Sequence, residues 1–147
     1  ISTAALLYGL PGTGKTYFAA ALARSCRVPL ITTSLGRIFA ETHGHLDDMI
    51  KGLTQAFDDA LKVTPSLLFI DELDSLPDRL TLSTRNRDWW TTIVNHFLKL
   101  LDDRREGVAV LGATNLADRI DRAITRSGRL ERHFQIEVPD ETAITSM

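Results

Sequence analysis

Residues 9–16 read GLPGTGKT, and the helix-forming run KTYFAAALARSC starts inside them. Gly9, Gly14, Lys15 and Thr16 satisfy G-x-x-x-x-G-K-[ST]. From average residue usage, a chance match in a chain of this length has odds of roughly one in two hundred. The chemistry this spacing serves is capture of a phosphate chain. Glycines let backbone N–H groups turn inward with no side chain between them and an anion. A helix start adds unpaired N–H donors and the positive end of a dipole. Lys15 supplies a point charge for β- and γ-phosphates, and Thr16 a hydroxyl for Mg²⁺. Residues Pro11, Gly12, Thr13, Gly14, Lys15, Thr16 and Tyr17 therefore form the candidate nucleotide-binding set.

A second feature lies at residues 67–72, LLFIDE. Four apolar residues are followed abruptly by Asp71 and Glu72. A nucleotide carrying Mg²⁺ needs an acid near the metal, and Asp71 is placed to serve, directly or through water. Hydrolysis needs a group that orients and deprotonates water, and Glu72 is the candidate base. Taken alone, two acids here read equally well as caps of a turn. Beside a phosphate loop, the metal-and-base reading prevails.

These groups require elements to hold them. AALLYG (4–9), VPLITTS (28–34), SLLFIDE (66–72), GVAVLGATN (107–115) and HFQIEVPD (133–140) read as five strands. Between them, Leu46, Met49, Ile50, Leu53, Phe57 and Leu61 recur at helical spacing. So do Trp90, Ile93, Val94, Phe97, Leu98 and Leu101. RIDRAITRSGR (119–129) is expected to be a short helix ending near Gly128. Strands alternating with helices imply an α/β fold: a five-stranded, mainly parallel sheet with helices on both faces, a three-layer sandwich. In such a sheet ligands bind beyond the carboxyl ends of the strands, where both motifs fall.

The 147 residues suffice for one domain with a substantial core. A net charge of -2 argues against binding nucleic acid by bulk electrostatics. The single cysteine, Cys26, permits no internal disulfide and fits a reducing compartment. No apolar run reaches a membrane span. A cytoplasmic location and no membrane contact within this segment are expected, with any anchor lying outside it. Ile1 at the start and a strand-like end before Met147 suggest a piece of a longer protein.

The segments GLPGTGKT, LLFIDELDSL, IVNHFLKLLDD, VLGATN and IDRAITRSGRLERHFQIEVPD together resemble the AAA+ ATPases, specifically the AAA group of P-loop NTPases. The resemblance covers nearly the whole chain. It implies that residues 1–147 are the large α/β ATPase subdomain, ending before the helical lid. It implies ATP/ADP and Mg²⁺ as cofactors, with Lys15 and Glu72 catalytic and Thr16 and Asp71 at the metal. Asn115 matches the sensor asparagine that positions the attacking water, and a buried amide at a strand end would need partners. Arg126 and Arg129 match the arginine fingers that act on a neighbouring subunit's γ-phosphate. The family further implies self-association into a ring, usually a hexamer, that remodels or unfolds protein substrates, in some cases feeding a protease.

The chain departs from that pattern in places. Where many relatives carry a pore-loop aromatic before a glycine, this sequence has Thr42-His43-Gly44, with Phe39 a few residues earlier. The loop containing Arg79, Arg85 and Arg87 reads as solvated. Trp89 reads as an interface residue beside the core residue Trp90. Without a lid, the segment alone is expected to bind nucleotide weakly and turn over little. Two other functions fit the same core. One is a clamp-loader or helicase-loader type of nucleic-acid ATPase, disfavoured by the GATN and G-R pattern. The other is a nucleotide-gated module that does not hydrolyse, disfavoured by the acids, Asn115 and the arginines.

Overall fold

The computed structural model describes residues 3–104, 106–126 and 128–138. Among the described residues are five strands and four helices, in the order β1 (Ala4–Tyr8), α1 (Lys15–Cys26), β2 (Leu30–Ser34), α2 (Leu35–Glu41), α3 (Leu46–Lys62), β3 (Ser66–Asp71), α4 (Arg87–Asp103), β4 (Val108–Thr114) and β5 (Arg132–Gln135). Short 3₁₀ turns occupy Leu73–Ser75, Arg79–Thr81 and Ala117–Arg119. The strands form one sheet in the order β2-β3-β4-β1-β5. Every pairing is parallel, so the mainly parallel sheet expected from sequence is parallel throughout.

The continuous apolar runs arise because both sheet faces are covered, so neither strand parity is polar. One parity packs on α1: Leu7, Leu67, Phe69, Leu111 and Ala113 meet Ala19 and Ala23. The other parity, with Leu6, Leu68, Ile70 and Val110, packs on α2, α3 and α4. There Met49, Leu53 and Phe57 of α3 and Ile93, Val94, Phe97, Leu98 and Leu101 of α4 are buried. Those are the faces the spacing predicts. Burial of each such side chain contributes about 2 kcal/mol.

Several expectations change. The expected helix at 119–129 is instead a 3₁₀ turn followed by hydrogen-bonded turns, with Ile124 N–H donating to Asp121 and Thr125 N–H to Arg122. Side-chain anchors at Asp121 and Arg129, described below, hold this segment against the body in place of a helical ladder. Residues 35–41, given no element from sequence, form α2, capped by Ser34, whose hydroxyl accepts from Arg37 N–H at 3.3 Å. Arg79 is not solvated but gripped by Asp121. Phe39 lies on α2 and stacks on Trp90 at 5.7 Å, edge-on to Trp89 at 6.1 Å. The three rings pack together, and Trp89 rests partly buried against the core. The expected strand at 133–140 is shorter and begins one residue earlier, at Arg132–Gln135; residues 136–138 carry no strand, and 139–140 lie outside the described residues.

Candidate functional site

The phosphate loop leaves the end of β1, a central strand paired to β4 and β5. Gly9 N–H donates to the Thr114 carbonyl at 3.3 Å, tying the loop to the end of β4. A Cβ at Gly9 would overlap the Ile136 carbonyl, so only glycine passes there. Gly12 and Gly14 sit at φ 77 and 94, left-handed conformations that favour glycine. Gly14 caps α1 with no side-chain bond, leaving the first amides of a twelve-residue helix directed at the loop. Pro11, Gly12, Thr16 and Tyr17 are exposed, while Thr13 and Lys15 are buried.

Lys15 is 8% exposed, yet its ammonium is satisfied. It donates to the Gly9 carbonyl at 3.0 Å, the Leu10 carbonyl at 2.9 Å and Thr13 Oγ1 at 3.4 Å. Burial lowers its pKa, and the carboxylates of Asp71 and Asp74 oppose that shift. The strand-end acids are thus near enough to the loop lysine to act on its charge. Asp74 joins through another route as well: Thr114 Oγ1 donates to Asp74 Oδ1 at 2.7 Å.

Asp71 ends β3, and Glu72 follows at φ 56. That conformation costs a non-glycine residue on the order of 1 kcal/mol and is concentrated at functional sites. It turns Glu72 toward β2, where Ser34 Oγ donates to Glu72 Oε2 at 2.8 Å. The parallel register, which sets Ser34 beside Asp71, makes this possible. Gly36 completes the seat, because a Cβ there would overlap Glu72 Oε2.

Asn115 is exposed, not buried as expected, and makes no side-chain hydrogen bond among the described residues. β4 stops at Thr114, and Thr114 is the buried polar residue at that strand end. Asn115 nonetheless follows the register in which Thr114 pairs with Tyr8, one residue before the phosphate loop.

Arg126 and Arg129 lie elsewhere. Arg126 is exposed and lines a cavity of about 420 Å³ with Arg79, Arg87 and Arg122. Arg129 forms a two-pronged bond to Asp102 at the end of α4: Nε to Oδ1 and Nη2 to Oδ2, both 2.8 Å. Among the described residues neither arginine pairs with the phosphate loop.

The donor set fits a nucleotide with a hard cation. Thr16 offers a hydroxyl with no protein partner among the described residues, and Asp71 offers a carboxylate. Mg²⁺ takes a few such oxygens and completes its shell with water and phosphate. No cluster of three or more His, Cys, Asp or Glu suited to a metal occurs among the described residues, so no all-protein cage competes with this arrangement.

Sequence reasoning missed Ser34, Gly36, Asp74 and Thr114. Their one signal is position, each at or just past the carboxyl end of a strand. No helix among the described residues is long and apolar enough to cross a membrane.

The family described as "ATPase family associated with various cellular activities (AAA)" matches residues 5–138. ATPase family AAA domain-containing protein 2 of Homo sapiens is 38% identical over 146 residues, covering 94% of this chain and 10% of that protein. The cell division cycle protein 48 homolog of Archaeoglobus fulgidus is 36% identical over 138 residues, covering 92% and 18%. The ATP-dependent zinc metalloprotease FtsH of Mycoplasma genitalium is 38% identical over 145 residues, covering 92% and 19%. The chain thus spans less than a fifth of these relatives. Glycine-shaped loop, strand-end acids, parallel sheet and family match converge: the chain belongs to the AAA family of ATPases.

Proposed function

We propose that this chain is the large subdomain of a Mg²⁺-dependent ATPase that works in a hexameric ring and remodels or unfolds protein substrates. The observation that carries it is the glycine-shaped loop at the end of β1, with its buried Lys15 held on the Gly9 and Leu10 carbonyls, in the same parallel sheet whose β3 ends in Asp71 before Glu72. Phosphate oxygens would replace the Gly9 and Leu10 carbonyls as acceptors for Lys15. The amides of residues 12–17 would line the phosphates, with Thr16 and Asp71 at the metal. Mg²⁺, when bound, neutralises charge building on the phosphate oxygens. Glu72 takes the proton of the attacking water, and Asn115 orients that water. Arg126 and Arg129 serve the site of the next subunit, which accounts for their separation from their own loop. Support for protein remodelling comes from the kinds of relatives matched, one of them named an ATP-dependent protease.

The test measures turnover per subunit against protein concentration in a longer chain that carries the helical lid. Turnover should rise as rings assemble, vanish in Lys15→Ala with loss of nucleotide binding, and vanish in Glu72→Gln with binding retained. A rate per subunit that stays constant through the assembly range would count against the trans arrangement.

A further inference from the structure

We propose that Thr114 and Asp74 are positioning residues for hydrolysis: one buried hydroxyl locks the turn that carries Asn115 to the turn that follows Glu72. This rests on the roles given above to Glu72 and Asn115, and names what holds the two in step.

The base and the water-orienting amide stand on separate turns. Ser34 holds the Glu72 carboxylate, but the Asn115 side chain makes no hydrogen bond among the described residues. What places Asn115 is therefore the backbone beneath it, and Thr114 fixes that backbone. Its Oγ1 accepts from the Leu116 N–H at 3.0 Å, closing a turn around Asn115. The same Oγ1 donates to Asp74 Oδ1 at 2.7 Å. Asp74 lies in the 3₁₀ turn Leu73–Ser75, where the Ser75 N–H donates to the Glu72 carbonyl at 2.9 Å. Thr114 is 1% exposed, so water does not compete for either bond.

A second contact seats the same acid turn. Leu73 is fully buried, and a Cβ at Gly112 would overlap its Cδ1. Gly112 and Thr114 are two residues apart on β4 and so address the same side of the sheet. β4 thus holds the acid turn by packing at one point and by a hydrogen bond at the next. Packing alone would leave the turn free to pivot, and a directional hydrogen bond removes that freedom. The Thr114 carbonyl, meanwhile, accepts from the Gly9 N–H at 3.3 Å, at the start of the phosphate loop. One residue thereby joins the loop, the base and the water-orienting amide. Proton transfer is sensitive to such play, since a misplacement of about 1 Å costs on the order of a hundredfold in rate.

The experiment uses the longer chain that carries the lid. Its variants are Thr114→Val, Thr114→Ser, Asp74→Ala, Asp74→Asn, Asn115→Ala, Glu72→Gln, and Thr114→Val combined with Asn115→Ala. Each is read by kcat, by nucleotide Kd and by hydrogen exchange at the Leu116 amide. Thr114→Val keeps the volume and removes the hydroxyl, so kcat should fall about ten- to a hundredfold with Kd unchanged. Leu116 exchange should speed in that variant and not in Asn115→Ala. Thr114→Ser, which keeps the hydroxyl, should retain most of the rate. Asp74→Asn, which keeps an acceptor, should lose less than Asp74→Ala. The double variant should lose less than the product of its two single losses, because the hydroxyl acts through Asn115. Wild-type kcat in Thr114→Val, a Kd weakened in proportion to kcat, or a full product in the double variant would overturn the proposal. If Thr114→Val does not fold, equal kcat in Asp74→Ala and Asp74→Asn would overturn it. Unchanged Leu116 exchange in Thr114→Val would remove the tether while leaving the roles of Glu72 and Asn115 intact. Wild-type turnover in both Glu72→Gln and Asn115→Ala would defeat those roles, and the proposal with them, even where Leu116 exchange speeds in Thr114→Val.

Discussion

Glu72 shows how one residue can be placed by backbone, neighbour and empty space together. Its left-handed φ of 56 turns it off the axis of β3, the Ser34 hydroxyl fixes its carboxylate, and the missing side chain of Gly36 leaves room for it. Gly36→Ala is therefore expected to displace the Glu72 carboxylate while sparing the fold, since the group that must yield is the end of a flexible side chain. Turnover should fall about ten- to a hundredfold with nucleotide affinity unchanged. Parallel measurement of Kd by titration and of kcat checks it. Equal loss of both would mean that Glu72 contributes to binding, not to the proton transfer assigned to it. A helix-friendly alanine at a helical position would otherwise be expected to stabilise, so a fall in turnover alongside unchanged or raised stability would be distinctive.

Among the elements, the segment after β4 is the one that packing, not helix formation, holds in place. Asp121 accepts four hydrogen bonds, three from Arg79, whose Nη1 also donates to Asn95 Oδ1 of α4 at 2.7 Å. Removing the buried partner strands Arg79 in a partly desolvated position. Asp121→Ala should cost about 3 kcal/mol, measurable as a lowered midpoint in urea unfolding. Phe97→Ala, in the α4 face against the sheet, should cost about 4 kcal/mol by opening a cavity where Phe57 now meets the ring edge-on at 6.3 Å. A loss below 1 kcal/mol at Asp121 would show that the turn does not depend on this anchor.

For the molecule as a whole, two acids tie its stability to pH. Arg129 holds the Asp102 carboxyl below its ordinary value of 3.8. Burial would raise Asp121, but hydrogen bonds from Arg79 and the Ala123 amide outweigh it, leaving its pKa also below 3.8. For a carboxyl whose folded pKa is depressed, the unfolded chain binds more protons in acid. The stabilisation is thus complete above 3.8 and is lost as pH falls through the lowered values. Thermal midpoints should be level above about pH 5 and drop in more acid solution, with a shallower drop in Asp121→Asn. The Asp102 contribution is discounted by its exposure of 49%.

Much of this design is local and so can be read along the chain. GLPGTGKT, the apolar-then-acidic run of β3, the two helical faces and the strand alternation depend on neighbours a few residues apart, and from them come the fold class and the candidate loop and acids. What the chain order could not convey were pairings made across the sheet or between packed elements. Ser34 meets Glu72 across 38 residues, Thr114 meets Asp74 across 40, Arg79 meets Asp121 across 42 and Arg129 meets Asp102 across 27. Which strand ends lie side by side follows from the order β2-β3-β4-β1-β5, in which β1 and β2 are sequence neighbours yet sit apart. Side-chain periodicity tells a strand which face to bury; only the assembled sheet and its docked helices decide whose carboxylate stands beside whose hydroxyl or guanidinium.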